Sequence, residues 1–121
     1  MTTTTSLVVN GSLVPVNNQL AFTATPLAAN GVFTSGVFTN DNIGGISVRV
    51  DSDHSGSLAF EASDDGTTWD TVSTTAVTGG TVAEVTLAPY GGVMRFVYTN
   101  GGTIQTSFRF SAYSTAVRAD V

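Results

Sequence analysis

The chain has 121 residues with nine acids, four arginines and no lysine, for a formal net charge of −5. A chain of this length forms one domain that buries roughly two-thirds of the surface its unfolded form exposes. The lack of cysteine excludes a disulfide framework, a thiolate metal site and a cysteine nucleophile, and the acidic balance is the opposite of what phosphate neutralisation needs, so no nucleic-acid partner is expected.

The first element in chain order is a long uncharged segment. From Met1 through Asn40 there is no Asp, Glu, Lys or Arg. Disordered tails carry charge and few large apolar groups, whereas this segment holds Leu7, Val8, Val9, Leu13, Val14 and Val16 before it reaches Leu20 and Phe22. Asn10-Gly11 and Pro15 interrupt it too often for a long central strand. Residues 1–19 are therefore expected to form an extended arm laid along another surface, with Leu7, Val8, Val9, Leu13, Val14 and Val16 as its contacts, and residues 20–121 to form the folded domain. No apolar run approaches the roughly 20 residues that span a bilayer. The start MTTTTSLVV also lacks the basic and apolar regions of a secretory signal, so the chain is expected to be soluble and unprocessed, with no membrane partner.

Strand patterns begin at ISVRV (46–50), where Ile46, Val48 and Val50 alternate with Ser47 and Arg49. DSDHSG (51–56) opens like an EF-hand loop with Asp51, Asp53, Ser55 and Gly56, but its twelfth position is Ala62 and strand, not helix, follows. Asp64 and Asp65 lie about five strand residues beyond, roughly 17 Å away, too far to complete a site. A polar hairpin loop without metal is expected there. In SLAFEAS (57–63), Leu58, Phe60 and Ala62 face one way and Ala59 and Glu61 the other.

The stretch SDDGTTW (63–69) carries the residues that turns use: short side chains that bond the backbone, then a glycine free to adopt positive φ. Trp69 is expected to fold back over that turn, the competing role being an exposed ring stacked on a sugar. TVAEVTL (81–87) sets Ala83, Val85 and Leu87 against Glu84 and Thr86, and MRFVYT (94–99) sets Met94, Phe96 and Tyr98 against Arg95, Val97 and Thr99. TIQTSFRFSAY (103–113) sets Ile104, Phe108, Phe110 and Ala112 against Gln105, Ser107, Arg109 and Ser111. The last two segments are expected to pair as a hairpin around Asn100-Gly101-Gly102, which places Arg95 and Arg109 on one sheet face.

Short strands separated by N-G, D-G and G-G punctuation, with no 3.6-residue period, give an all-β antiparallel sandwich, jelly-roll-like rather than immunoglobulin-like because antibody landmarks are missing. Arg49, Arg95 and Arg109 are either solvated strand positions paired with Glu61 or Glu84, or a docking surface, since arginine binds carboxylates bidentately. No catalytic set is legible. His54 is the only histidine and adjoins Ser55 in a loop, Asp64 and Asp65 are neighbours rather than partners across a cleft, and no nucleotide fingerprint is present. A non-enzyme without cofactor is expected.

The run LAFEASDDGTTWDTV, followed by GVMRFVYTNGGTIQTSFRFSAYSTAV, resembles small β-sandwich proteins on the virion surface of tailed bacteriophages, most of all head-decoration or cement proteins. The resemblance rests on Ser63, Asp65, Gly66 and Trp69 and on Arg95, Phe96, Asn100, Gly101 and Gly102, within residues 44–113. It implies a structural protein that binds the major capsid protein at capsomer junctions, as a homo-oligomer with a trimer favoured, located on the capsid surface. Similar tail and fibre modules imply the alternative of a glycan-binding module using Asp65 and Trp69.

Overall fold

The computed structural model describes residues 14–40 and 43–118. Nine strands follow in order: β1 Val14–Thr23, β2 Val32–Thr34, β3 Phe38–Thr39, β4 Gly45–Ser52, β5 Gly56–Ser63, β6 Asp70–Val77, β7 Ala83–Leu87, β8 Val93–Asn100 and β9 Phe108–Arg118. They form two antiparallel sheets, one ordered β1-β9-β4-β7 and the other β2-β8-β5-β6, with β3 also paired to β8. β2 and β3 are one edge strand interrupted at residues 35–37. Counted so, the sheets read 1-8-3-6 and 2-7-4-5, the order of a jelly roll.

The period-2 alternation explains which side chains meet. Ile46, Val48 and Val50 of β4 and Phe108, Phe110 and Ala112 of β9 face Leu58, Phe60 and Ala62 of β5 and Met94, Phe96 and Tyr98 of β8, and all twelve are buried. Phe96 lies at the centre. Its ring centroid is 5.4 Å from Phe60, 5.6 Å from Phe38 and 5.6 Å from Phe110, the last on the opposite sheet. Its backbone is fixed where the edge strand breaks: Ser35 N–H donates to the Phe96 carbonyl at 2.9 Å, and Phe96 N–H donates to Ser35 Oγ at 2.8 Å. A side-chain hydroxyl thus replaces a missing ladder carbonyl.

The expected hairpin between 94–99 and 103–113 does not form: β8 pairs with β2, β3 and β5, and β9 pairs with β1 and β4. Inward alternation in both segments fits a hairpin, but it fits equally two strands that face each other across a core. The connection decides between them. Asn100 is buried and its amide donates to the carbonyls of Ala28 and Thr103, both at 2.9 Å. Gly101 N–H donates to Ser55 O at 3.0 Å, and Gln105 N–H to Leu27 O at 3.0 Å. Residues 100–107 therefore bind two loops, between β1 and β2 and between β4 and β5, at one end of the sandwich while the chain crosses between sheets. The alternation slips there. Ile104, expected inward, is 61% exposed, and Gln105, expected outward, is 3% exposed, with its amide oxygen accepting from Leu27 N–H at 2.7 Å and its NH2 donating to Ser52 Oγ at 2.9 Å.

DSDHSG is likewise not a hairpin loop but the crossing from β4 in one sheet to β5 in the other. Gly56 begins β5 at a close approach: a Cβ there would run into the Tyr98 hydroxyl and lie 2.7 Å from the Thr99 carbonyl. At the N-terminal end, residues 14–19 of the expected arm are the first part of β1, pairing with residues 113–118 of β9. Residues 1–13 lie outside the described residues.

Phe96→Ala removes the ring that bridges both sheets and is expected to cost about 3–5 kcal/mol. Ile104→Ala is expected to stay within about 0.5 kcal/mol, as exposed substitutions do. Urea denaturation midpoints check the pair, and an Ile104→Ala loss as large as that of Phe96→Ala would restore the alternation read from the sequence.

Candidate functional site

Four of the residues expected to form a binding surface, Leu7, Val8, Val9 and Leu13, lie outside the described residues. Val14 and Val16 sit on β1 opposite Arg118 and Ala116. The three arginines do not share a face, because β8 and β9 belong to opposite sheets. Arg49 of β4 and Arg109 of β9 lie on the outer side of the four-stranded sheet, and Arg95 of β8 lies on the outer side of the other.

Arg95 stands directly opposite Glu61 in the β5–β8 ladder, and its Nε donates to Glu61 Oε1 at 2.7 Å. Its guanidinium also covers the Trp69 ring at 4.1 Å from the centroid, a cation–π contact on a half-buried indole. The turn before Trp69 is closed by its own side chains. Ser63 Oγ accepts from Gly66 N–H at 2.8 Å and donates to Asp65 Oδ1 at 3.0 Å. Asp65 Oδ1 accepts from the N–H groups of Thr67 and Thr68, both at 2.8 Å. Gly66 takes φ 78°, the left-handed conformation that a glycine allows. The backbone donors of Thr68 and Thr67 and the Ser63 hydroxyl hold the Asp65 carboxyl down at about 2. The clustered acids thus have separate partners: Glu61 engages Arg95, and Asp65 ties the turn.

In the DSDHSG crossing, Asp53 accepts from the hydroxyl and the N–H of Thr106, which depress its pKa below the ordinary carboxylate value. His54 Nε2 lies 3.6 Å from Asp53 Oδ2. Among the described residues, no three His, Cys, Asp or Glu side chains come together as a metal cluster would.

A concave feature of the surface lies elsewhere. A depression of about 290 Å³ on the outer side of the four-stranded sheet is lined by Phe22, Ser47, Arg49, Glu84, Arg109, Ser111 and Tyr113. Strand register brings them together. Phe22, Ser111, Arg49 and Glu84 stand in line across β1, β9, β4 and β7, and Gln19, Tyr113, Ser47 and Thr86 form the next line. The register shift in β1 between Gln19 and Ala21 admits one extra residue, which keeps both Gln19 and Phe22 on the outer face. Arg49 engages Glu84 Oε1 through Nε at 3.2 Å and Nη2 at 3.0 Å, and Arg109 Nη2 lies 3.4 Å from Asp51 Oδ2. Gln19 Nε2 donates to the Tyr113 hydroxyl at 3.3 Å. Phe22 and Tyr113 are 51% and 41% exposed, large rings left in water beside paired charges.

Of this group, the sequence singled out Arg49 and Arg109. Tyr113 had a signal, as the aromatic member of the outward row Arg109, Ser111, Tyr113. Phe22 had none, since the irregularity in β1 hides its phase.

The family model described as the N-terminal domain of the uncharacterised protein YqxG matches residues 9–115, and the chain belongs to that family. No curated protein matches it. Among solved structures it is similar to the PBSX exported protein XepA, at 24% identity and a TM-score of 0.76, over 88% of this chain and 39% of that one. It therefore spans about two-fifths of XepA. It is also similar to a protein from Bacillus endospore appendages described as a novel family of disulfide-linked pili, at 18% identity and a TM-score of 0.54 over 94% of this chain and 99% of that one. PirA matches at 13% identity and a TM-score of 0.53, over 78% of this chain and 93% of PirA. At these identities the likeness establishes a shared β-sandwich fold.

Asp65 generates a pH prediction. Its folded carboxyl titrates at about 2, below the ordinary 3.8, so its contribution is complete above the ordinary value and is lost as pH falls through about 2. Asp65→Ala is expected to lower the urea midpoint at neutral pH, with the gap to the unaltered chain closing between those two values. A gap that does not change with pH would show that the turn does not depend on the ionised carboxylate.

Proposed function

We propose that this member of the YqxG N-terminal domain family is a structural and binding module of a phage-related particle, without a catalytic role. In its most specific form the proposal is a capsid decoration or cement protein. It would be seated on the major capsid protein at capsomer junctions, as a homotrimer on the virion surface. The shared fold with XepA, a phage-related exported protein, and with a Bacillus endospore appendage protein supports a place on a particle or outside the cell.

The observation that carries the reading is the edge strand β1. Among the described residues it stands at the end of its sheet order, is ten residues long, and contains no charged residue in VPVNNQLAFT. Sheet edges in soluble proteins are ordinarily blunted by charge, shortness, proline or a bulge, and of these β1 has only Pro15 and the register shift between Gln19 and Ala21. An uncharged edge of this length favours added pairing, in which backbone hydrogen bonds supply affinity, each contributing about 0.5–1.5 kcal/mol net. The segment before it is also uncharged and includes Leu7, Val8, Val9 and Leu13. Burial of each such side chain against a partner contributes roughly 1.5–3 kcal/mol before ordering costs.

The structure moves the boundary at which this is tested. A deletion through residue 19 would remove the first six residues of β1 and unpair the end of β9, so loss of folding would mask loss of docking. The purified full chain is expected to co-sediment saturably with capsids that lack it. Deletion of residues 2–13 should leave the melting temperature unchanged and weaken co-sedimentation at least tenfold. Failure of the full chain to co-sediment, or undiminished binding by the deletion variant, would contradict the proposal.

A further inference from the structure

We infer that the depression on the outer side of the four-stranded sheet is a carbohydrate-binding site for a neutral sugar of mono- or disaccharide size. Phe22 and Tyr113 supply the stacking planes, and Arg49, Glu84, Ser47 and Ser111 supply the hydroxyl partners. The inference does not rest on capsid attachment, and it places a ligand on a different sheet from Asp65 and Trp69.

The chemistry of the lining selects the ligand. Phe22 and Tyr113 both border the depression and are both substantially exposed. An aromatic face carries partial negative charge and attracts the partly positive C–H groups on one face of a sugar ring. Ser111 lies beside both rings on β1 and β9, and Ser47 and the Arg49–Glu84 pair extend the lining across β4 and β7. Both contacts from Arg49 end on Glu84 Oε1, which leaves Oε2 to accept a hydroxyl proton while Arg49 retains donors. One ligand hydroxyl can therefore donate and its neighbour accept within the same site.

Other ligand classes fit less well. The arginine charges are cancelled by Glu84 and Asp51 at 3.0 and 3.4 Å, and the chain carries a net charge of −5, so a phosphate or carboxylate gains little. A dry protein surface pressed onto this face would desolvate two ion pairs, a cost their mutual attraction does not reliably offset. A sugar replaces bound water with hydroxyls, one hydrogen bond for another. The ion pairs themselves are exposed, and such pairs add little stability, so their alignment beside two exposed rings is not explained by folding. The volume of about 290 Å³ lies at the small end of ligand sites, which begin at roughly 300 Å³.

Titration of the isotope-labelled full chain with maltotetraose, cellotetraose, xylotetraose and chitotetraose, followed by amide NMR, tests the inference, with polygalacturonate as the anionic probe. At least one neutral sugar is expected to shift the amides of Phe22, Ser47, Arg49, Glu84 and Tyr113 saturably at millimolar concentration. Trp69 fluorescence should stay fixed, because that ring lies under Arg95 on the other sheet. Phe22→Ala and Tyr113→Ala should each weaken binding at least tenfold without lowering the melting temperature, and Val82→Ala, at another exposed apolar position, should not. The inference is overturned if no neutral sugar shifts these amides, if the shifts map to residues 63–69, if polygalacturonate is the preferred probe, or if the two aromatic variants bind undiminished.

Discussion

The contact on which the structure depends is the one between Phe96 and Phe110, 5.6 Å apart at their ring centroids and on opposite sheets. Phe96 also stacks on Phe60 at 5.4 Å within its own sheet, and Phe110 meets Phe33 of the edge strand at 5.4 Å. These rings define the closed space between the layers. Once Met94, Phe96 and Tyr98 must face Phe108, Phe110 and Ala112, β8 and β9 cannot be neighbours in one sheet. The residues between them in sequence must cross the end of the sandwich, and the polar backbone of that crossing needs partners. Asn100 and Gln105 provide them from buried positions.

The same constraint distributes the few charges. With the inward positions filled by apolar groups, Arg49, Arg95 and Arg109 point outward and meet acids on neighbouring strands, Arg49 with Glu84, Arg95 with Glu61 and Arg109 with Asp51. The two faces then diverge. On the five-stranded sheet, Arg95 is half-buried between Glu61 and the Trp69 ring, a compact arrangement that covers the surface. On the four-stranded sheet the pairs stay open to solvent beside Phe22 and Tyr113. Around Arg95 the surface is covered by its own side chains, whereas the depression on the other sheet retains hydrogen-bonding capacity and apolar area for a ligand.

Much of this was legible in the sequence. Alternation in 46–50, 58–62 and 94–98 correctly divides buried from outward positions, because each segment is a regular strand with one face in the core. Ser63, Asp65 and Gly66 form the turn their side chains suggest. Adjacency was not legible, because period-2 patterning records which face a residue takes but not which strand lies beside it. That is why Arg95 and Arg109 were expected together. The phase error at Ile104 and Gln105 arose from extending a strand pattern into a loop that has its own hydrogen bonds. The depression stayed hidden for both reasons: its residues come from four strands distant in sequence, and the irregularity in β1 conceals the outward position of Phe22.

The separation of β8 from β9 into opposite sheets is measured directly by interstrand nuclear Overhauser effects. Backbone contacts are expected between Glu61 and Arg95 and between Asp51 and Arg109, with none linking β8 to β9. Backbone contacts between residues 94–99 and 103–108 in an antiparallel ladder would contradict it, since they would return Arg95 and Arg109 to one face and dissolve the site built on their separation.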